Sequence, residues 1–157
     1  MFLIVHASVG AAIGSAFTIP WLAAAASFFS HFIIDAIPHG DEAVGREYIK
    51  KSRHRWLIFI AAYDALASLF LIFWLWIYGL VPNAEAAFIG AVFAMLPDML
   101  FGLSVVSGRP LFPALDNYHS RWHKLLGFEV SMAVGFVIQF IVLILVWLPT
   151  LFRFSGS

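Results

Sequence analysis

The chain has no cysteine, and charge is scarce: Lys and Arg number 9, Asp and Glu number 9, and the formal net charge is zero over 157 residues. Without cysteine there is no disulfide and no thiolate metal site, and the redox compartment is left open. A charged fraction of 11% falls well below the ~25% usual in a soluble domain. With no basic excess there is no electrostatic footprint for nucleic acid, which is excluded as an expected partner. The N-terminus, MFLIVHASVG, lacks a basic n-region and carries a histidine inside its apolar run, so it reads as a helix of the mature chain and not as a cleaved signal peptide. No internal repeat, low-complexity tract or second domain is visible, so 1–157 reads as one domain. What is abundant is apolar surface: 62% hydrophobic residues and a mean hydropathy of +0.93, a composition that points to an integral membrane protein.

Apolar runs predict an all-α bundle of about five transmembrane helices, over 2–18, 20–37, 56–79, 84–106 and 125–148. A spanning helix needs about 20 apolar residues, within a range of roughly 17–25; the third and fifth runs meet this easily and the first two are short. Pro20 suits the first turn of a new helix, so 2–37 reads as a tight hairpin. Small residues in GAAIGSA and LAAAAS would let its two backbones approach closely. Gly79 and Pro82 mark the turn between the third and fourth helices. This topology puts the N-terminus, the 38–55 loop and the 107–124 loop on one side. Arg46, Lys50, Lys51, Arg53, Arg55, Arg109, Arg121 and Lys124 fall there, and only Arg153 falls on the other. By the positive-inside rule the first side, with the N-terminus, is cytoplasmic. The expected location is a prokaryotic inner membrane with the site facing the cytoplasm.

Polar residues gather at the same end. His31, Asp35 and His39 recur every four residues in SHFIIDAIPHGD, so the first two stack on one helix face, while Pro38 puts His39 at the start of the loop. Imidazole nitrogen and carboxylate oxygen are good ligands for a divalent ion; the plainer alternative is a polar helix end in which His31 bonds Asp35. His119 and His123 form a second pair, in DNYHSRWHK, where an interfacial helix anchored by Trp122, Tyr118, Arg121 and Lys124 is the plainer alternative. Asp64 lies about eight residues into the third span and Asp98 about eight before the end of the fourth, so both sit roughly 12 Å inside the cytoplasmic end. A charge at that depth costs about 2.5–3.5 kcal/mol on insertion scales and normally has a partner. No intramembrane Lys or Arg supplies one, whereas a metal ion shared with His6 and His31 would. The alternatives are a protonated Asp, carboxylates bonded to His6 and His31, or a proton pathway. Pro97 interrupts the fourth helix before Asp98 and frees backbone to line a cavity. His54 reads as part of a solvated basic stretch, Glu129 as a residue that supports the ligands from behind or is simply interfacial, and Gln139 as a helix–helix hydrogen bond apart from the cluster. Together, His6, His31, Asp35, His39, Asp64, Asp98, His119 and His123 are the candidate ligands of one or two ions. His and carboxylate without Cys fits zinc first, then manganese or iron.

These motifs resemble a family. His6 followed by small residues to Gly10, then Ser30-His31-x-x-x-Asp35, Leu96-Pro97-Asp98 and a histidine pair are similar to the membrane-bound, YdjM-like metal-dependent hydrolases. The Pro-Asp element here follows the Ser-His-x-x-x-Asp element, the reverse of the family's order, and His119-Ser-Arg-Trp-His123 stands where the family has His-Arg-Gly-x-Thr-His-Ser. The His31-Phe32-x-x-Asp35 element with Pro38-His39 more distantly resembles the zinc-dependent phospholipase C and nuclease superfamily. The resemblance implies ligand roles for His6, His31, Asp35, Asp98, His119 and His123, and metal-dependent cleavage of a phosphoester.

The expected function is therefore a membrane-embedded metallohydrolase in which metal lowers the pKa of bound water to about 7. Asp64 or Asp35 is the candidate general base. A site sunk below the interface and walled by apolar side chains suits membrane lipid or a lipid-linked phosphate as substrate. The basic 46–55 loop could attract anionic headgroups at about 1 kcal/mol per cation, although topology alone explains the same charges. The alternatives are a metal or proton transporter using the same residues, and a non-catalytic membrane protein with a structural metal.

Overall fold

The computed structural model describes residues 1–40 and 54–155, without the side chains of His54, Leu57 and residues 150–155. The basic residues Arg46, Lys50, Lys51 and Arg53, and the side chains of His54 and Arg153, lie outside what is described. Within it the chain is all helical: α1 (Leu3–Ser15), α2 (Pro20–Asp35), α3 (His54–Ile77), α4 (Ala84–Ser107), α5 (Pro113–His123) and α6 (Met132–Ser155).

Three stretches are long and apolar enough to cross a membrane: Ile58–Ile77, Ala84–Ser107 and Met132–Pro149. Their outward faces are what a bilayer requires as solvent. α3 exposes Phe59, Tyr63, Leu66, Phe70 and Phe73, and α6 exposes Phe136, Val137, Phe140, Ile144 and Leu145. Apolar patches of this extent are not kept in water by a monomeric soluble protein. Trp56 at one end of α3 and Trp74, Trp76 and Tyr78 at the other are exposed, as in the aromatic belts of membrane interfaces.

The first two helices are shorter than the expected 2–18 and 20–37. α1 has 13 residues and α2 has 16, about 20 and 24 Å of rise against a hydrocarbon core of about 30 Å. Leu3, Val5, His6, Ala7, Ser8, Val9, Gly10, Ala11 and Gly14 of α1 are all buried, so α1 meets protein on nearly every side and has no single apolar stripe, as expected for a core helix.

The principal partner of α1 is α4, with α2, α3 and α6 completing its surroundings. The small residues expected to bring α1 and α2 together serve the α1–α4 contact more. A Cβ on Gly10 would strike the Gly90 carbonyl and the Ala94 Cβ, and one on Gly90 would strike the Gly10 carbonyl. Two backbones at that separation gain dispersion contacts that bulkier residues would prevent. α2 joins the seam through Ser27, whose hydroxyl donates to the Gly10 carbonyl at 3.1 Å. Ala7, Ala11, Ile72, Leu75, Ala87, Ala91 and Met95 extend the core toward α3.

Caps and turns set the register. The Asn83 side chain accepts from Ala86 N–H at 3.1 Å at the start of α4, and its Nδ2 donates to the Phe17 carbonyl at 3.1 Å, tying the α1–α2 turn to α4. α4 ends on Gly108 in the left-handed region, where a residue without Cβ is unstrained. The 107–124 region, expected as a loop or an interfacial helix, contains α5.

Candidate metal centre

The site forms where α1, α2, α4 and α5 meet. α2 delivers His31 and Asp35 one turn apart, with His31 Nε2 3.0 Å from Asp35 Oδ2. α1 brings His6, whose Nε2 is 3.0 Å from Asp35 Oδ1 and 3.6 Å from Asp98 Oδ2. α4 presents Asp98 directly after Pro97. α5 brings His119, 3.2 Å from Asp35 Oδ2 and 3.0 Å from Asp98 Oδ1, and His123, 3.0 Å from Asp35 Oδ2. α5 is held by rings: Tyr118 lies edge-on to the buried Phe32 at 4.8 Å, and Phe101 of α4 packs against the His119 ring at 4.9 Å.

The result is two overlapping groups, His6–His31–Asp35–Asp98 and Asp35–Asp98–His119–His123, each offering donor atoms within 4.8 Å of one another. Three observations fit a metal ion at these groups. His31 Nε2 and Asp35 Oδ2 are both buried and make no hydrogen bond, although 3.0 Å apart. A buried polar atom without a hydrogen bond needs a cause, and a cation between the two would supply one. Next, ligands about 2.05 Å from a zinc ion at tetrahedral angles lie about 3.3 Å from each other, and the His-to-carboxylate distances run from 3.0 to 3.8 Å. Finally, His31 Nδ1 is 2.9 Å from the Ala94 carbonyl and His39 Nδ1 is 2.7 Å from the Ile37 carbonyl. The first contact holds the proton of His31 on Nδ1 and turns its Nε2 lone pair toward the centre, the arrangement that orients a ligating imidazole, whereas Nε2 of His39 meets the Met1 nitrogen at 2.9 Å.

Burial is nearly complete. The side chains of His6, His31, Asp35 and His39 are inaccessible, while Asp98 keeps 20% and His123 keeps 13% of its exposure. The open edge of the centre is therefore at Asp98 and His123. Burial alone would lower the pKa of His119, but the nearby carboxylates of Asp35 and Asp98, the latter hydrogen-bonded to it at 3.0 Å, outweigh it and raise it to about 9.

Six of the eight expected residues come together, and His39 and Asp64 do not join either group. His39 is adjacent: its Nε2 is 4.0 Å from Asp35 Oδ1, with the Met1 nitrogen between them at 2.9 Å from His39 Nε2 and 2.6 Å from Asp35 Oδ1. Asp64, expected as ligand or general base, points at the first turn of α1. Its carboxylate accepts the N–H of Leu3 at 2.5 Å and of Ile4 at 3.1 Å. Those are two of the N–H groups that a helix start leaves without intrahelical partners, so Asp64 caps α1 from a neighbouring helix. Asp35, also expected as a base, has histidines against both oxygens.

Gln139 differs from expectation as well. It lies at the site's border, where its side chain accepts from Phe2 N–H at 2.9 Å and donates to the His39 carbonyl at 3.3 Å. Gly135, one turn earlier, makes room for that carbonyl, which a Cβ would strike. A lone amide in an apolar helix was the available signal. The Ala94 carbonyl and the Phe32 side chain, which orient His31 and hold α5, carried none.

A scan of protein-family models gives no match to this chain, and neither the curated proteins nor the solved structures include one.

Proposed function

We propose that the protein is a membrane-embedded, metal-dependent hydrolase that cleaves a phosphoester of a lipid or lipid-linked substrate at the cytoplasmic face of a membrane. The observation that carries this is a buried His–Asp centre with one open edge, at Asp98, among helices that expose apolar surface. The YdjM-like resemblance supports the same reading. Zinc is the first choice of metal, with manganese and iron as the other members of the His and carboxylate class.

Bound metal would supply a hydroxide at neutral pH and polarise a phosphoryl oxygen. The chain's own residues do the rest. His6, His31, Asp35, Asp98, His119 and His123 hold the centre, and the Ala94 carbonyl orients His31. The apolar wall of Phe32, Phe101 and Trp122 limits water. In the reaction the water oxygen bonds to phosphorus, the phosphorus–oxygen bond to the lipid breaks, and the departing oxygen takes a proton. Asp98, at the open edge, borders the substrate. The charge split supports the cytoplasmic orientation, and exposed Arg109, Arg121 and Lys124, on α5 and beside it, could meet anionic headgroups.

The test is phosphate release from mixed lipid phosphates by the full chain in nanodiscs loaded with zinc or manganese. Release that is abolished in His31→Ala and Asp98→Ala supports the proposal. A metal-loaded protein that releases no phosphate, but admits metal into proteoliposomes, would replace it with the transporter reading.

A further inference from the structure

The long helices α3 and α4, neighbours in the chain, do not close on one another. α3 packs chiefly on α1, and α4 chiefly on α1 and α2. Between the end of α3 and the start of α4 they leave a groove of about 390 Å³, within the ~300–1,000 Å³ of small-ligand sites. Leu69, Ile72, Phe73 and Trp76 of α3 form one wall, and Glu85 and Phe88 of α4 form the other. The α3 residues follow the spacing of a single helix face. Ile72 is the buried floor, whereas Leu69, Phe73, Trp76 and Phe88 are exposed along the sides.

The groove is graded from polar to apolar. Its mouth is at the end of both spans: Trp76 is one residue short of the α3 terminus, and Glu85 is the second residue of α4. Its inner end at Leu69 lies seven residues from Trp76, about 10 Å into a hydrocarbon core of about 30 Å. Glu85 is the only acidic residue on this side of the topology. The first turn of α4 suits its charge through the helix dipole, but it makes no hydrogen bond or ion pair among the described residues. Apart from Arg153, whose side chain is not described, no Lys, Arg or His lies at this end. An uncompensated carboxylate above an apolar cleft fits an amphiphile with a cationic head.

We infer that this groove binds one phospholipid with an amine headgroup, of the phosphatidylethanolamine kind, from the leaflet at the α3–α4 turn. Its ammonium donates to the Glu85 carboxylate in a charge-assisted hydrogen bond, and the Trp76 ring adds a surface that attracts cations. One acyl chain runs down over Ile72, between Leu69 and Phe73 on one side and Phe88 on the other. It covers apolar surface of α3 that α4 leaves open. An anionic headgroup brings like charge to Glu85 and is disfavoured. The site is separate from the metal centre. Glu85 and Asp98 are 13 residues apart on α4, about 20 Å, so a lipid held here is a companion of the fold and not the lipid that the centre would cleave.

Native mass spectrometry of the full chain tests this. The protein is delipidated in detergent, then titrated with phosphatidylethanolamine or phosphatidylglycerol of matched acyl chains. One phosphatidylethanolamine per chain should bind about tenfold more tightly than phosphatidylglycerol, the difference made by one partly exposed charge-assisted hydrogen bond. Glu85→Gln should bring phosphatidylethanolamine down to the level of phosphatidylglycerol. Leu69→Trp, which places a larger ring in the cleft, should weaken both lipids. Both variants replace exposed side chains and should keep the helical circular dichroism unchanged. Equal affinity for the two lipids in the unaltered protein, or a preference that Glu85→Gln leaves intact, would overturn the site as ordinary contact with the bilayer. A chain that dimerises on delipidation, and whose dimer Leu69→Trp abolishes, would overturn it in favour of a second copy. If either variant does not fold, the comparison of the two lipids on the unaltered protein decides.

Discussion

Replacing Asp64 separates two roles that a carboxylate at this depth could have. As placed, it satisfies the Leu3 and Ile4 N–H groups and belongs to neither donor group. Asp64→Ala leaves both N–H groups without an acceptor in a region where Asp64 itself is only 9% exposed. Loss of a helix cap costs about 0.5–2 kcal/mol in water, and a hydrogen bond to a charged group contributes about 1.5–3 kcal/mol. Two such bonds, with water excluded, place Asp64→Ala at about 2–4 kcal/mol of destabilisation. Asp64→Asn keeps one acceptor oxygen and should cost about half as much by the same reasoning. The assay pairs thermal unfolding in detergent with a metal count on the same sample. The expected result is a lowered Tm in the order Ala below Asn below the unaltered protein, with the metal content of the folded fraction unchanged. Loss of metal at an unchanged Tm would refute the capping role and return Asp64 to the ligand set.

Gly10→Val and Gly90→Val should each prevent close packing of α1 on α4, costing at least the ~1–3 kcal/mol of an overpacked core, and should be seen as loss of the monodisperse peak in size-exclusion chromatography. In the metal-free protein His119 holds its proton up to about pH 9, so metal must displace that proton and apparent affinity should rise between pH 7 and 9, measured by competition with a chelating dye. The sign for stability is opposite: the contribution of protonated His119 to the metal-free fold is complete below its ordinary value of 6.5 and is lost as pH rises through about 9, visible as a falling Tm of the apoprotein over that range. Because the chain has no cysteine, single-cysteine variants at Arg109 and Leu80 report sidedness without background. A membrane-impermeant thiol reagent added to spheroplasts should label the Leu80 variant and spare the Arg109 variant.

Much of the architecture is legible because the bilayer imposes a length. Runs such as 56–79 and 84–106 must be helical and must be long, so their limits survive in the structure as His54–Ile77 and Ala84–Ser107. The polar residues are legible for the same reason: a His or Asp within an apolar run has a cost that needs a cause. Less could be read where the partner is backbone. Asp64 looks like a ligand because a main-chain N–H leaves no mark in the sequence, and the Ala94 carbonyl that orients His31 is equally silent. The small residues of α1 announce a close contact without saying with which helix, and the neighbour in sequence was the natural but lesser choice. α5 was ambiguous because its histidines face inward while Arg121 and Lys124 remain exposed, so its composition reads equally well as loop or surface helix.

The long reach of α1 has a consequence for how the protein is made. The first of the six described helices is the one most enclosed by the others, and its chief partner, α4, follows some 80 residues later. Phe2 waits for Gln139, 137 positions away. Until those arrive, the nascent α1–α2 hairpin must carry its polar groups unaided. It has a means in His6, whose Nε2 bonds Asp35 Oδ1 at 3.0 Å between α1 and α2 themselves. Biogenesis can therefore begin from a short hairpin whose internal pairings shelter the very groups that Asp98, His119 and His123 later join.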